Sequence, residues 1–345
     1  QDASLCVHLA AYYQAVNVFE AQHLSFEELP LDLSIEAAVA MLREAEIDLL
    51  ITGTSNNQLD LEKSFIAAAG NLGIPSLAVL DFWSNYALRF SDRDRDMSYL
   101  PDRIAVMDQL AYDEMVSEGI PEDILVVTGQ PAFDHLADAS ASFTREDRAR
   151  TRRGLGVGPD DWMVVFISQP FTTLFGSARG PGFDEQTVLA DLLEVLETLS
   201  ERTGRRLSVI VKPHLREAHP WWRDIRSDRV YVEVAGETRF SSLALSADLV
   251  AGMTSTRLVE AAMLGCRTLS LQIGAEIGAH FDIERLGVHK TVFSKEALQR
   301  EIDTYLSAPP VREARGMSAA AGNAAEKVVA LVHRMLEPEK TTQRQ

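Results

Sequence analysis

Short apolar runs alternate with amphipathic segments along most of the chain. In its first part the apolar runs predict buried strands at Leu5–Leu9, Ile47–Thr52, Ser76–Leu80, Ile104–Met107 and Ile124–Thr128. Apolar residues at helical spacing predict helices between them, near Ala10–Ala21, Ile35–Glu46, Leu61–Leu72 and Gln109–Gly119. Apolar strands separated by helices are typical of a parallel sheet with right-handed crossovers.

The second part of the chain repeats this pattern. Its predicted strands are Met163–Ser168, Leu207–Lys212, Val230–Val234, Ala247–Ala251 and Arg267–Gln272. Its predicted helices are Asp184–Thr203, Arg239–Ser246, Arg257–Leu264 and Lys295–Leu306, and an alanine-rich helix ends near Met335. The expected fold class is therefore α/β, with two Rossmann-like domains whose parallel sheets face each other across a cleft.

The domain boundaries follow from the breaks in this pattern. We expect an N-terminal domain at 1–138, a connection at 139–158, a C-terminal domain at 159–308, and a helix with a polar tail at 309–345. The connection contains the charged segment Phe143–Leu155, which is interpreted as a solvated helix. The C-terminal helix is expected to pack back on the first domain.

The start of the chain is abrupt, because Leu5–Leu9 already has the pattern of a buried strand. A neighbouring strand would have to cover it. If the native chain has residues before Gln1, we expect them to form that strand and a ligand loop.

A strand–turn–helix segment at Ala247–Gln272 carries a cluster of hydroxyl groups. The strand ends at Gly252, and the hydroxyls of Thr254, Ser255 and Thr256 open the next helix. Unpaired N–H groups and the helix dipole favour an anion at such a helix start. One helix cap needs one hydroxyl, so the other two indicate a phosphate site, although an ordinary cap remains the alternative.

Two further strand ends in the second part carry groups that can bind phosphate. Lys212, His214 and Arg216 lie in the segment KPHLR after one strand, and they suit a diphosphate or sugar hydroxyls. Ser168 and Gln169 follow another strand and can donate to a ligand oxygen. The alternatives are a structural histidine and a plain strand-to-loop turn.

Polar loops follow two strands of the first part in the same way. Asp81 ends a strand, and a carboxylate at that place can take a proton from an acceptor hydroxyl. The other candidate groups of this part are expected on the acceptor side of a cleft: Thr54, Ser55, Asn56, Trp83 and Asn85. The alternative is a set of turns and caps around a packed aromatic cluster.

Three motifs resemble a known superfamily: VTGQPAFD at Val127–Asp134, the strand-KPH segment at Val209–His214, and ADLVAGMTSTRLVEAAMLG at Ala247–Gly265. The chain resembles GT-B glycosyltransferases, UDP-N-acetylglucosamine 2-epimerases and CDP-glycerol glycerophosphotransferases. The resemblance implies a donor domain at 159–308 and an acceptor-side domain at 1–138. It also implies donor contacts from His214, the Thr254–Thr256 turn and the downstream Glu260.

The resemblance has one departure that bears on the reaction. The epimerase-type segment HxxAGxR is absent, and the corresponding strand ends in DFWSNY, from Asp81 to Tyr86. We therefore expect a transferase that moves a sugar or polyol phosphate from a nucleotide sugar or CDP-polyol, with Asp81 and His214 as catalytic residues. A nucleotide-sugar epimerase or hydrolase, and a binding protein without catalysis, are the alternatives.

Composition narrows the partners and the compartment. The formal net charge of −18 argues against an extended nucleic-acid surface. Cys6 and Cys266 both lie in apolar runs, so buried thiols in a reducing cytoplasm are expected. Neither has metal-ligand spacing, so they do not make a zinc site. Lys212, His214, Arg216 and a helix amino end can neutralise the phosphate charge, so we expect no metal and no cofactor beyond the nucleotide-activated substrate. The acceptor would be a glycan or a lipid-linked sugar of bacterial surface synthesis, with peripheral membrane contact.

Overall fold

The computed structural model describes residues 4–54, 60–92, 96–175, 181–214, 217, 220–276, 283–288, 290–307 and 322–337. The chain forms two compact units. The first contains residues 1–132 together with 323–345, and the second contains residues 133–322. Within the described ranges, no helix is both long enough and apolar enough to cross a membrane.

The first unit is built on a parallel sheet. Its strands are β1 (Ala10–Ala11), β2 (Glu27–Glu28), β3 (Leu50–Thr52), β4 (Ser76–Val79), β5 (Arg103–Val106) and β6 (Leu125–Val127). Its helices up to residue 132 are α1 (Gln14–Ala21), α2 (Ile35–Glu44), α3 (Leu61–Leu72), α4 (Tyr86–Arg89) and α5 (Gln109–Ser117). The order β3-β4-β5-β6 forms a four-stranded sheet, whereas β1 and β2 pair separately, and every pairing is parallel.

The predicted buried strand at Leu5–Leu9 is wrong. The strand instead covers Ala10–Ala11 and pairs with β2. Val7 is 69% exposed and Cys6 is exposed. The apolar residues of this segment are therefore not a sign of burial. Because the segment is largely exposed, nothing in it supports the expected covering strand. The thiol of Cys266 is half-buried rather than fully buried.

The second unit contains a larger parallel sheet. Its strands are β7 (Trp162–Ile167), β8 (Leu207–Lys212), β9 (Val230–Val234), β10 (Leu249–Gly252), β11 (Thr268–Leu271) and β12 (Thr291–Val292). Its helices are α6 (Asp134–Ser142), α7 (Arg145–Gly154), α8 (Phe171–Phe175), α9 (Glu185–Thr203), α10 (Phe240–Ser246), α11 (Thr256–Met263) and α12 (Lys295–Ser307). The strand order is β12-β11-β10-β7-β8-β9, and all pairings are parallel.

The centre of this sheet is buried on both faces. All six residues of β7 are buried, which is why the sequence reads there as a continuous apolar run. Helix α9 begins at a capping box formed by Asp184 and Thr187, and it packs Leu189, Leu192 and Leu196 into the core. The predicted strands and the long predicted helix of this part are confirmed.

The helix α7 is mostly solvated, as predicted, but two of its arginines anchor it to the second unit. Arg148 Nη2 lies 2.7 Å from Asp248 Oδ1, and Arg152 Nη1 lies 3.3 Å from Asp248 Oδ2. The guanidinium of Arg152 is buried and also donates to the carbonyl of Ser246. The charge of the segment predicted exposure, but the Asp248 carboxylate binds both arginines and keeps Arg152 buried and Arg148 half-buried.

The last described helix, α13 (Ala324–Leu336), belongs to the first unit. Its residues Leu331 and Val332 are buried in one apolar cluster with Leu77 of β4 and Ala105 of β5. The chain thus returns from the second unit to cover the first sheet, as the sequence predicts.

Candidate functional site

Three neighbouring strands of the second unit end at one edge of the sheet. In the strand register, Gly252 of β10 pairs with Ile167 of β7, and Ile167 pairs with Lys212 of β8. The loops that follow these strands therefore start side by side. This is the carboxyl edge of a parallel sheet, where open α/β folds bind their ligands.

The turn after β10 positions the start of α11. Ser255 is the N-cap residue, and its hydroxyl accepts a hydrogen bond from the Arg257 N–H at 3.3 Å. Thr256 is the first helical residue. A Cβ on Gly252 would lie 3.0 Å from the carbonyl oxygen of Ile167, so glycine allows the close approach of β10 to β7.

The loop after β7 is joined to this turn. The buried Thr254 donates its N–H to Gln169 Oε1 at 2.7 Å, and Gln169 Nε2 donates to Thr254 Oγ1 at 3.2 Å. The predicted pair Ser168 and Gln169 is thus brought against the predicted hydroxyl turn. Ser255 and Thr256 are only half-buried.

The loop after β8 is joined to the same edge through Glu217. The carboxylate of Glu217 accepts hydrogen bonds from the Ser168 hydroxyl and, at 2.9 Å, from the His214 N–H. The ring of His214 belongs to an exposed residue. The described contacts therefore link β10 to β7 and β7 to β8 and leave His214 next to the shared edge.

Two cations gather at this edge although the chain as a whole is strongly acidic. Burial lowers the pKa of Lys212, and repulsion from Arg257 lowers it further, while Glu237 opposes both effects. The Lys212 ammonium donates to the carbonyl of Gly236 at 3.0 Å and to that of Thr238 at 3.4 Å. An ammonium has three N–H groups, so these bonds leave one for a ligand.

Glu260 lies under the second of these cations. Its carboxylate is buried and lies 2.5 Å from Arg257 Nη1. The Cζ atom of the same guanidinium lies 5.0 Å from the centroid of the Phe240 ring. The residue that the resemblance implied as a donor contact is therefore engaged with an arginine in this structure. Glu260 orients Arg257 at the start of α11.

Buried polar groups support the turn from beneath. Ser270 donates its hydroxyl to the carbonyl of Met253 at 2.6 Å, and Gln272 Nε2 donates to Ser270 Oγ at 3.2 Å. Both residues are fully buried in or just after β11. Because a buried polar group is costly unless it is bonded, this arrangement holds the turn in one conformation.

The strand ends of the first unit carry a different cluster. The Asp81 carboxylate lies 2.5 Å from Arg89 Nη1 and accepts a hydrogen bond from the Thr54 hydroxyl at 3.0 Å. Arg89 also donates to the carbonyl of Ser84 at 2.9 Å and to that of Thr54. The Arg89 side chain is 4% exposed and that of Asp81 is 53% exposed. Burial lowers the pKa of Arg89, and attraction to Asp81 opposes the shift.

The predicted acceptor-side residues differ in their burial and contacts. Trp83 is 1% exposed and its indole N–H donates to Asp108 Oδ2 at 2.8 Å, so it is a core residue and the structure does not support a ligand role. Asn85 is exposed with φ of 57°, and it precedes α4. Three predicted site residues lie outside the described residues: Ser55, Asn56 and Arg216.

Sequence reasoning missed three charged residues of these clusters: Glu217, Arg257 and Arg89. The first lies one residue beyond the KPHLR segment, and the second lies directly after the hydroxyl turn. Both positions are close enough to the motifs that a wider window would have included them. The pairing of Arg89 with Asp81 depends on the short helix α4, which had no sequence signal.

A metal centre finds no support in the part of the chain described above. Among those residues, no three His, Cys, Asp or Glu side chains are grouped so that they could hold a metal ion. The charge at the carboxyl edge of the second sheet comes instead from Lys212 and Arg257, beside the amino end of α11.

Comparison with known proteins adds information about the fold. No protein-family model matches the chain, and no curated protein matches it either. Solved structures do resemble it over nearly its whole length. The UDP-GlcNAc 2-epimerase from Neisseria meningitidis, bound to UDP-GlcNAc, has a TM-score of 0.66 at 13% identity, covering 96% of this chain and 93% of its own.

Two other solved structures give the same picture. The UDP-GlcNAc 2-epimerase from Methanocaldococcus jannaschii has a TM-score of 0.65 at 15% identity, covering 95% of this chain and 91% of its own. A glycosyltransferase from Rickettsia africae has a TM-score of 0.61 at 12% identity, with coverage of 96% and 91%. The chain therefore has the α/β fold with two parallel sheets that GT-B-like epimerases and glycosyltransferases share.

Proposed function

We propose that the protein is an enzyme that acts on a nucleotide-activated sugar, whose diphosphate binds at the carboxyl edge of the second unit's sheet. The observation that carries this proposal is the strand register that ends β7, β8 and β10 side by side, with Lys212 at the end of β8 and Arg257 in the first turn of α11. Repulsion from Arg257 contributes to the lowered pKa of Lys212, in a chain with a net charge of −18. An anion between them relieves that repulsion, and the amino end of α11 favours the same charge.

Each residue of this edge then has a chemical role. The Ser255 and Thr256 hydroxyls and the N–H groups of the first turn of α11 donate to phosphate oxygens. Lys212 and Arg257 neutralise the charge that develops when the nucleotide diphosphate departs. His214 lies at the same edge and would reach the sugar or its phosphate. Preorganised donors of this kind act without a metal ion, so no metal is required for that step.

The finer proposal is transfer of the sugar, or of a polyol phosphate from a CDP-polyol, to a hydroxyl acceptor. The first unit supplies Asp81 as the candidate base, since half of its side chain is exposed. A glycan or a lipid-linked sugar is the acceptor class proposed. Transfer leaves the nucleoside diphosphate, or the nucleoside monophosphate in the case of a CDP-polyol, as the product.

Epimerisation of a nucleotide sugar is the second candidate. It is favoured by the similar structures, because the proteins from Neisseria meningitidis and Methanocaldococcus jannaschii are both named UDP-GlcNAc 2-epimerases. The two reactions differ in what they need. An epimerase changes UDP-GlcNAc without an acceptor, whereas a transferase leaves the donor sugar intact until an acceptor is added.

Calorimetric titration with UDP, CDP and GDP tests the shared part of the proposal. We expect binding of at least one diphosphate, weakened about ten- to hundredfold by Ser255→Ala or His214→Ala, since each removes a bond to a charged group. The two losses should not add if both residues contact the same diphosphate. Absence of binding by all three nucleotides would overturn the proposal.

Incubation with UDP-GlcNAc alone separates the two reactions. Conversion of the sugar, followed by proton NMR, would establish epimerisation. An unchanged sugar, with release of UDP only after an acceptor glycan is added, would establish transfer.

A further inference from the structure

Three donors from two loops converge on the carboxylate of Glu217, which itself lies in the loop after β8. The Ser168 hydroxyl donates to Oε1, and the indole N–H of Trp221 approaches the same oxygen at 3.4 Å. The His214 N–H donates to Oε2 at 2.9 Å. Ser168 follows β7, His214 follows β8, and Trp221 begins a short helical turn further along the chain.

These donors belong to the segments that carry the proposed diphosphate site. Ser168 adjoins Gln169, which holds the Thr254 turn, and its N–H also donates to the carbonyl of Lys212 at 3.0 Å. His214 stands two residues after Lys212. A single carboxylate therefore fixes the two loops between which the sheet edge presents its cations.

The charge of Glu217 is unfavourable in such a place. A carboxylate next to a phosphate site repels the ligand, and burial raises the pKa of Glu217, with Glu185 adding to the shift. The hydrogen bonds from Ser168, His214 and Trp221 lower the pKa and so oppose burial. The Glu217 carboxylate is costly to bury but accepts hydrogen bonds from three donors. This indicates that its function is to accept those hydrogen bonds.

We propose that Glu217 is a positioning residue of the nucleotide site, which sets Ser168 and His214 in their binding arrangement through a carboxylate that only accepts hydrogen bonds. This inference rests on the proposed function. A carboxylate offers two acceptor oxygens and no donor, so it satisfies all three groups at once. A glutamine in the same position turns one oxygen into an amide group that donates, and it must face one of the three donors.

The variant Glu217→Gln tests the proposal, because a charge effect and a positioning effect change UDP affinity in opposite directions. If Glu217 acted only through its charge, neutralising it would strengthen binding of UDP. If it positions the loops, UDP affinity should instead fall about tenfold, the effect of losing one hydrogen bond to a charged group. Glu237→Gln is the matched control. Glu237 is exposed and raises the pKa of Lys212, so its removal should leave affinity equal or higher.

Thermal unfolding separates positioning from a structural role. Replacing a half-buried carboxylate by the isosteric amide should leave the midpoint within a few degrees, since the lost bond is offset by the relief of desolvation. Weaker UDP binding at unchanged stability supports the inference. Equal or tighter binding in Glu217→Gln overturns it.

Amide exchange gives a readout that needs no nucleotide. In Glu217→Gln the Trp221 indole N–H and the His214 backbone N–H should exchange several-fold faster than in the wild type and in Glu237→Gln. If the wild type binds no nucleotide, the proposed function fails, and unchanged exchange of both protons would overturn the positioning role as well. Faster exchange in that case supports the role of Glu217 in holding the two loops.

Discussion

The strand ends of the two units carry equally polar side chains that are arranged in opposite ways. In the first unit, Asp81 and Arg89 are paired with each other, and Thr54 completes their hydrogen bonds. In the second unit, Lys212 and Arg257 repel each other at the start of a helix. The first cluster pairs its cation with a carboxylate. In the second, Arg257 is also paired with Glu260, but the ammonium of Lys212 donates to the backbone carbonyls of Gly236 and Thr238.

This difference separates stability from binding. A cluster that closes on itself contributes mainly to folding, because its groups are bonded before any ligand arrives. A cluster of like charges lowers the stability of the folded protein, and binding of an anion offsets that loss. We therefore expect substitutions in the first cluster to lower the free energy of unfolding, and substitutions in the second to lower nucleotide affinity.

The largest expected effect belongs to Arg89→Ala. The substitution removes a buried guanidinium together with its bonds to Asp81, Thr54 and Ser84. Breaking a buried, hydrogen-bonded charge pair typically costs about 3–5 kcal/mol, and the exposure of Asp81 places the expected loss near the lower end, at about 3 kcal/mol. Differential scanning calorimetry measures this loss.

Arg43→Ala is the control for that loss. Arg43 is exposed in the last turn of α2, so its removal should change stability by less than about 0.5 kcal/mol. UDP affinity should be the same in both variants. A stable Arg89→Ala protein with weak UDP binding would contradict the division between the two clusters.

The next effect is the loss of affinity in Lys212→Met. Methionine keeps most of the apolar stem but removes the ammonium, so a bond to phosphate is lost and affinity should fall about ten- to hundredfold. The free energy of unfolding should stay equal or rise at neutral pH, because a charge held partly out of water is removed. Calorimetric titration and thermal unfolding measure the two quantities.

Lys295→Met is the matched substitution for this test. Lys295 lies on α12 and forms a surface ion pair with Glu194 at 2.8 Å. Loss of that pair should leave UDP affinity unchanged. If the two lysine variants bind UDP equally well, the electrostatic basis of the proposed site is wrong.

The extent to which sequence predicted these clusters depends on how local each signal is. The buried strands and the strand–turn–helix at Thr254 were predictable, because apolar runs and caps are short-range patterns. The role of Glu217 was only partly predictable. His214 and Trp221 lie within four residues of it, but Ser168 lies 49 residues earlier, after another strand. The pairing of Arg89 with Asp81, eight residues apart, was not predictable because it requires α4 to turn back.

Burial was the property that sequence predicted least well. The apolar run Leu5–Leu9 is largely exposed, whereas the charged segment around Arg152 is anchored in the interior. Hydropathy describes whether a side chain favours a buried or an exposed environment. The neighbouring elements of the fold determine which environment it has. Asp248, nearly a hundred residues further along the chain, is the partner that makes Arg152 a buried residue.

Ser255→Ala should cost less stability than Arg89→Ala, and Ser34→Ala is its matched control. Ser255 caps α11 and Ser34 caps α2, each through its hydroxyl. Alanine at either position should cost about 1 kcal/mol of stability. Only Ser255→Ala should also weaken UDP binding, because Ser34 lies in the first unit. Equal affinity in the two variants would remove the Ser255 hydroxyl from the phosphate site.

The smallest effect concerns the pH dependence of stability around Glu217. Burial raises the pKa of its carboxyl in the folded protein, and the three hydrogen bonds reduce that rise without cancelling it. As pH increases from about 4.5, the ordinary value for glutamate, the unfolded chain releases this proton before the folded chain does. The free energy of unfolding should therefore fall across the window up to the folded-state pKa and stay level above it. Glu185 and His214 are the same in the wild type and in Glu217→Gln, so the difference between the two stability curves isolates Glu217. Solvent screening of this half-buried group keeps the difference small. A difference curve that is flat across the window, measured by denaturant unfolding at closely spaced pH values, would show that Glu217 titrates as it does in water.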